Sequence, residues 1–267
     1  MTTQLEKART FRSLHESGTF ILANFWDAGS AVMLERLGFQ ALASTSAGYA
    51  QTLGRLDGQI SLEDVLGHCA QVANATQAPI SVDFENGFAD EPAAAAQNLL
   101  RLAATGVVGA SIEDYASSGI YDPTLAVERI QACAEAVAGL DFPFTLTARA
   151  ENLIRGVQDL DDTIARLQTF EAAGADVLYA PGLSSSEQIQ AVLGAVSAPI
   201  NVLFVFMPDT PLATYAELGV RRISLGGALA NHAIGATLNA ASQMLEGGEF
   251  TWVMDAAPGK IIRQLLG

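Results

Sequence analysis

Three short apolar segments of this chain each end in charged side chains of a kind that work together. Ile80-Ser-Val-Asp83 is followed at once by Phe84 and Glu85. Val107 to Ile112 runs into Glu113 and Asp114, and Phe144-Thr-Leu-Thr-Ala148 runs into Arg149. Residues two apart on a strand share a face, so Asp83 and Glu85 are expected to look into one space. Several carboxylates gathered there would raise one another's pKa values unless a cation sat among them. Carboxylate oxygens suit a hard divalent ion, Mg²⁺ or alternatively Mn²⁺, which commonly keeps several waters and takes few direct protein ligands. Arg149 can then clamp a substrate carboxylate bidentately across from the metal. Backbone amides of the small-residue turn Thr45-Ser46-Ala47-Gly48 are placed to receive a further oxyanion. Asp57, in the loop after that turn, and Asn201, in a later apolar segment, complete the polar set.

Several of these residues also have a plain structural reading. Asp27 precedes Ala-Gly-Ser-Ala and is expected to cap a helix rather than bind a ligand. Asp114 and Glu151 read as solvated loop residues. Asp83 alone could be a cap, and Arg149 could serve only as a structural ion pair. His232 lies in an Ala-rich helical stretch and is expected to be packed there, while His15 and His68 read as structural or surface residues. Cys69 and Cys133 fall in helical patterns and are expected to be buried free thiols. Gly226-Gly227 could form a phosphate-binding turn, but two glycines are a weak signal.

The elements that must position these groups alternate regularly. Strand-forming runs are expected at Ile21–Phe25, Ala41–Ser44, Ile80–Asp83, Val107–Glu113, Phe144–Arg149, Val177–Ala180, Ile200–Phe204 and Arg222–Leu225. Helix-period stretches separate them, near 28–37, 61–77, 91–105, 124–139, 159–173, 184–196 and 210–218. Eight such repeats in one chain of 267 residues predict a single (β/α)₈ TIM-type barrel domain, 1–267. A glycine closes four of the helices, at Gly38, Gly106, Gly174 and Gly219, as a left-handed terminator would. An N-terminal cap (residues 1–18, with a helix near 4–16) is expected under the barrel. Two C-terminal helices (residues 227–267) exceed what closure needs and could dock on a neighbouring subunit. In such a barrel the active site lies at the C-terminal ends of the strands, where the Thr45–Gly48 turn, Asp57, Asp83, Glu85, Glu113 and Arg149 are expected to fall.

Composition narrows the function. Net charge is −15, which opposes nucleic-acid or anionic-membrane binding. No apolar run nears the roughly 20 residues of a membrane span, and the N-terminus lacks an apolar signal core, so a cytoplasmic location is expected. Lys7 and Lys260 are the only lysines, at the two ends, which removes a Schiff-base mechanism. The three histidines form no zinc-type cluster, and neither a nucleophile elbow nor a phosphate-binding P-loop motif occurs.

With these residues in view, the chain resembles the isocitrate lyase/phosphoenolpyruvate mutase superfamily along nearly its whole length. The matching stretches are Asn24-Phe-Trp-Asp-Ala-Gly-Ser30, Thr45-Ser-Ala-Gly48, Leu53-Gly-Arg-Leu-Asp57, Val82-Asp-Phe-Glu-Asn-Gly87, Ile112-Glu-Asp114 and Thr147-Ala-Arg149. The resemblance implies a barrel whose last helix swaps between partners, a dimer of dimers, and Mg²⁺ chelating a small anionic 2-oxo acid. It makes Asp83 the principal metal carboxylate, with Asp57, Glu85 and Glu113 around it through water. It makes Arg149 the substrate-carboxylate arginine and Thr45–Gly48 the oxyanion loop. The chain departs from the family in its selecting loop, Tyr115-Ala-Ser-Ser-Gly-Ile-Tyr-Asp122, which lacks the lyases' Lys-Lys-Cys-Gly-His motif and the mutases' Lys and Asn. Tyr115 stands where that Lys would be. Ala180-Pro-Gly182 and Gly226-Gly227 replace other catalytic side chains. The expected activity is therefore a Mg²⁺-dependent lyase of decarboxylase type acting on a small 2-oxo or 2-hydroxy di-acid through a pyruvate-type enolate. Tyr115, or else Tyr121, would be the candidate proton donor. The alternatives are a P–C bond enzyme of the phosphonopyruvate type, a non-catalytic 2-oxo-acid binder, and an unrelated phosphate-binding barrel.

Overall fold

A computed structural model describes residues 2–267. Eight parallel strands close into a barrel: β1 (Phe20–Phe25), β2 (Leu42–Ser44), β3 (Ile80–Asp83), β4 (Gly109–Glu113), β7 (Thr145–Arg149), β8 (Val177–Tyr179), β9 (Ile200–Leu203) and β10 (Arg222–Ser224). Each expected strand is present: β1 gains one residue, β3 has its expected bounds, and the other six are shorter by one or two residues. The two remaining strands, β5 (Tyr115–Ala116) and β6 (Gly119–Ile120), make a small antiparallel hairpin above β4 that the sequence did not announce.

The helical shell is α2 (Ala28–Arg36), α4 (Leu62–Ala75), α5 (Pro92–Ala103), α6 (Pro123–Ala138), α7 (Leu160–Ala172), α8 (Ser186–Ala195) and α9 (Leu212–Leu218). All but α9 are capped at their starts by side chains, at Asp27, Ser61, Glu91, Asp122, Asp159 and Ser185, which satisfy first-turn amides. Asp27 is thus a helix cap, as read from its neighbours. After α2, α5, α7 and α9 the chain turns at Gly38, Gly106, Gly174 and Gly219, all with φ between 94° and 102°.

The barrel floor is sealed from below by α1 (Gln4–Leu14). Ala8 and Phe11 are fully buried against Phe20, Leu22, Ala41, Ala43 and Val108. Lys7 beside them donates to the carbonyls of Ala73 and Thr76, so one of the two lysines is a structural strut. Gly109 admits the Phe11 ring: a Cβ there would lie 2.9 Å from the ring edge and 2.9 Å from the Thr145 carbonyl oxygen.

The C-terminal segment behaves differently. In α10 (Ala228–Ser242) only Ala230 is buried, and Leu238 is 63 % exposed. The expectation of a packed His232 therefore fails, because that side chain lies on the open face of α10. The last helix, α11 (Gly259–Leu266), lies against α2 while leaving Ile261 and Leu266 about half exposed. No described helix is long and apolar enough to cross a membrane.

Because Gly109 and Phe11 interlock against rigid backbone, Gly109→Ala is expected to lower unfolding free energy by about 1–3 kcal/mol. Denaturant titration of the two proteins checks this, and an unchanged midpoint would show that the floor is not close-packed.

Candidate active site

The barrel mouth opens into one cavity of about 620 Å³. Asp57, Asp83, Glu85, Glu113, Arg149, Tyr115 and Asn201 all line it, together with Thr45, Ser46 and Ala47. The sequence-predicted set is therefore brought together, although the backbone delivers its members differently from the simple strand picture. β3 ends at Asp83, and Glu85 follows in a left-handed turn with φ 47°, not on a strand face. That conformation is unfavourable for a non-glycine residue and persists only where the surroundings enforce it. Here the Glu85 carbonyl accepts from the Glu113 amide at 2.9 Å, tying the exits of β3 and β4 together.

Thr45 to Gly48 is also not a free turn. Thr45 caps a short helix, α3 (Ser46–Thr52), and its Oγ1 accepts from the Gly48 amide. The Ser46 amide and hydroxyl both donate to Asp83 Oδ2, at 3.3 and 3.0 Å. Gly48 is required by close packing, since a Cβ would stand 2.6 Å from Thr45 Cγ2.

Charge is distributed around Arg149. Its guanidinium faces Asp83 at 3.3 Å and Glu113 at 3.6 Å and is held through Nε by Glu151. Glu151 is fully buried, not a solvated loop residue, and its other oxygen pairs with Arg155 at 3.0 Å. Asp114 is likewise buried, bound to Arg166 at 3.0 Å and to the Glu151 amide at 2.7 Å. Both expectations of solvated loops are corrected: these acids lock the β4 and β7 exits together behind the site.

Burial drives the electrostatics. Glu85 is pushed up to about 7 by desolvation first, then by the charges of Asp83 and Asp57. Burial also moves Glu113 upward, outweighing Arg149 beside it. Arg149 itself stays protonated, because Glu151, Glu113 and Asp83 overcome the desolvation of its charge. Asp57, Asp83, Glu85 and Glu113 line the mouth with Arg149 and Arg155, and Glu151 stands behind them, so carboxylates outnumber the guanidinium groups and a divalent ion would offset the excess.

Do these residues fit such an ion? Among the described residues no three Asp, Glu, His or Cys side chains lie close enough to share one ion directly. Glu85 Oε1, however, is buried without any hydrogen-bond partner. Mg²⁺ commonly uses one or two carboxylates and completes its shell with water, so convergence of three is not needed. An orphaned carboxylate oxygen, in a mouth where carboxylates outnumber guanidinium groups, fits the ion.

Other residues had no sequence signal or a misleading one. Arg155 stacks over the Tyr115 ring at 3.6 Å and so ties the hairpin to the same Glu151 that holds Arg149. Tyr121 donates to Asp90 and accepts from Asn86 at 2.8 Å, with Arg129 over its ring. Its hydroxyl is committed there, which removes it as a proton donor. Asn24 accepts from the Leu225 and Gly226 amides at 2.8 and 3.0 Å, so the Gly226 amide is already taken up by protein. Asn201 lines the cavity, but its amide donates to Ser224 and accepts from Arg222. Arg222 sits inward on its strand without a motif of its own, which is why pattern reading passed over it, and Asn24, though it opens a stretch matching the family, was given no role.

A sequence profile described as phosphoenolpyruvate phosphomutase matches residues 11–245. The chain belongs to this family, within the isocitrate lyase/phosphoenolpyruvate mutase superfamily. A crystal structure from Burkholderia cenocepacia J2315, provisionally described as a lyase/mutase, is 47 % identical with a TM-score of 0.95, covering 98 % of this chain and 95 % of that one. An uncharacterized Mycobacterium tuberculosis protein is 30 % identical over 89 % of this chain and 90 % of its own. An oxaloacetate decarboxylase of Paraburkholderia xenovorans is 29 % identical over 99 % of this chain and 89 % of its own. The superfamily fold is also shared with a phosphonopyruvate hydrolase solved with oxalate and Mg²⁺, 21 % identical, TM-score 0.86, covering 99 % and 95 %.

Glu85 is ordinarily ionised above pH 4.5 in the unfolded chain and only above about 7 in the fold. The folded state therefore holds an extra proton in that window, and stability of the metal-free protein should fall as pH rises from about 4.5 to 7. Melting temperatures across that range should show the fall, and Glu85→Gln should flatten it; an unaltered slope would refute the assignment.

Proposed function

We propose that this protein is a divalent-metal-dependent lyase of decarboxylase type, acting on a small 2-oxo or 2-hydroxy di-acid. The observation that carries the reading is the excess of carboxylates, Asp57, Asp83, Glu85 and Glu113, facing Arg149 in one cavity at the barrel mouth. Similarity to lyases and to an oxaloacetate decarboxylase supports the reaction class. Mg²⁺, or Mn²⁺ in its place, would be held by Asp83 with Glu85, Glu113 and Asp57 around it through water. When bound, it supplies a Lewis acid that polarises the ketone and stabilises negative charge developing on its oxygen.

The protein's own groups do the rest. Arg149 orients the substrate carboxylate, and Glu151 fixes the guanidinium from behind. The first turn of α3, through Ser46 and Ala47, bounds the oxyanion side of the mouth. When the C–C bond breaks, its electron pair enters a pyruvate-type enolate and CO₂ departs. The enolate carbon then takes one proton, for which the Tyr115 hydroxyl on the hairpin is the candidate source. The hairpin limits water at the mouth, because Arg155 holds Tyr115 over it. Decarboxylation asks least of residues 115–122, which carry no Lys, Cys or His. That same composition favours a second reading, a 2-oxo-acid-binding protein without turnover. The open apolar face of α10 is read as the surface on which a second copy docks, in a dimer of dimers with the C-terminal helices exchanged.

Asp83→Ala should abolish Mg²⁺-dependent oxaloacetate decarboxylation followed by NMR, as should EDTA. Turnover that survives either treatment would refute the scheme. Tyr115→Phe should lower kcat on the order of 10²-fold with little change in KM if the hydroxyl delivers the proton. A kcat unchanged in that variant would assign the proton to solvent.

A further inference from the structure

We infer that the middle layer of the barrel holds a second anion subsite, built on Arg222, that receives the distal acid group of a short di-acid. This subsite presupposes the mouth chemistry proposed above and extends it to substrate selection.

Barrels of this kind usually fill their interior with bulky branched side chains. Here β2, β3 and β4 present Ala43, Ser81 and Ser111 to the axis, and all three line the cavity. The space beneath the acid cluster is therefore open and continuous with the mouth. Arg222 and Tyr179 line the same cavity from β10 and β8.

Arg222 is 3 % exposed and has only neutral partners. Nε donates to Asn201 Oδ1 at 2.9 Å, Nη2 donates to Thr147 Oγ1 at 3.1 Å, and Nη1 lies 3.3 Å from His15 Nε2. His15 is uncharged: burial and the neighbouring guanidinium push it down to about 3, and its Nδ1 lies 2.8 Å from the Phe11 carbonyl. Three contacts leave two of the five guanidinium N–H groups free for another acceptor. Burying a cation without a counter-charge is costly, and here burial pulls Arg222 down to about 9. Arg129 makes a useful contrast. It is equally buried, but its guanidinium donates to the carbonyls of Asn86, Ala89 and Asp90, and it does not line the mouth cavity. Of the two, Arg222 combines burial and neutral partners with an open face.

The spacing suits a short ligand. Thr147, which touches Arg222, stands two residues below Arg149 on β7, roughly 7 Å along the strand. One guanidinium is therefore available at the mouth and a second about one small molecule deeper.

Malate and lactate differ only in the distal carboxylate and make matched probes for isothermal titration in the presence of Mg²⁺. Wild-type protein should bind malate more tightly than lactate. Arg222→Gln should weaken malate on the order of 10–100-fold, the worth of a hydrogen bond to a charged group, and leave lactate unchanged. Arg222→Lys should recover part of the difference. Ser111→Leu, which fills the space while keeping the guanidinium, should also reduce malate selectively and covers the case in which Arg222→Gln does not fold. Equal malate and lactate affinities in wild type, or equal losses for both in the variants, would overturn the subsite. Thermal stabilisation by chloride or sulfate that depends on Arg222, with malate indifferent to it, would assign the pocket to a free ion and overturn the substrate role. Oxalate, which needs only the mouth, separates the two proposals. Oxalate bound with Mg²⁺ but no malate preference sinks the subsite alone, whereas no oxalate binding sinks both.

Discussion

The surplus of buried negative charge around one guanidinium governs this barrel's mouth. Arg149 can neutralise one carboxylate, yet Asp83, Glu113 and Glu151 all approach it, and Glu85 stands by with an unpartnered oxygen. A low-dielectric pocket magnifies both the attraction and the repulsion in that arrangement. The fold tolerates it through reinforcement on the far side: Arg155 and Arg166 hold Glu151 and Asp114, and backbone bonds join the ends of β3, β4 and β7. What remains on the cavity side is a demand for positive charge.

Support from below is as important as support from behind. Phe11 enters the floor through the space Gly109 leaves, and His15 on the turn after α1 reaches Arg222 in the interior. A helix outside the eight-fold repeat thus contributes to the polar layer under the site. The small residues of β2, β3 and β4 then leave that layer open instead of packed. Tyr179 links the two levels, lying under the Arg149 guanidinium at 5.2 Å while lining the deeper space.

The hairpin at 115–120 shows how one family scaffold can be redirected locally. The resemblance places a lysine-bearing loop there, and this chain carries Tyr115 stacked by Arg155 instead. Because Arg155 and Arg149 share Glu151, the wall of the site and its substrate-binding cation hang from the same buried carboxylate. The C-terminal helices follow another rule. Their apolar residues are not absorbed by the barrel of their own chain, and α10 stands clear of it along most of its length.

Periodicity alone was enough for the eight β/α units, the glycine stops and the N-terminal cap, because strand alternation and helix termination are local properties of a few neighbouring residues. The clustering of Asp83, Glu113 and Arg149 also followed from sequence, since residues at the ends of successive barrel strands must share the mouth. Local pattern failed where partners come from distant segments. Asp114 and Glu151 looked like loop carboxylates because nothing nearby shows that Arg166, Arg155 and Arg149 will fold onto them. The left-handed turn at Glu85, the burial of Arg222 and the exposure of α10 likewise depend on what packs against them. Sequence determined which groups arrive at the barrel mouth; only the closed structure decided which are neutralised, which are left charged and unpartnered, and where space remains, because burial and electrostatic pairing are properties of three-dimensional neighbours.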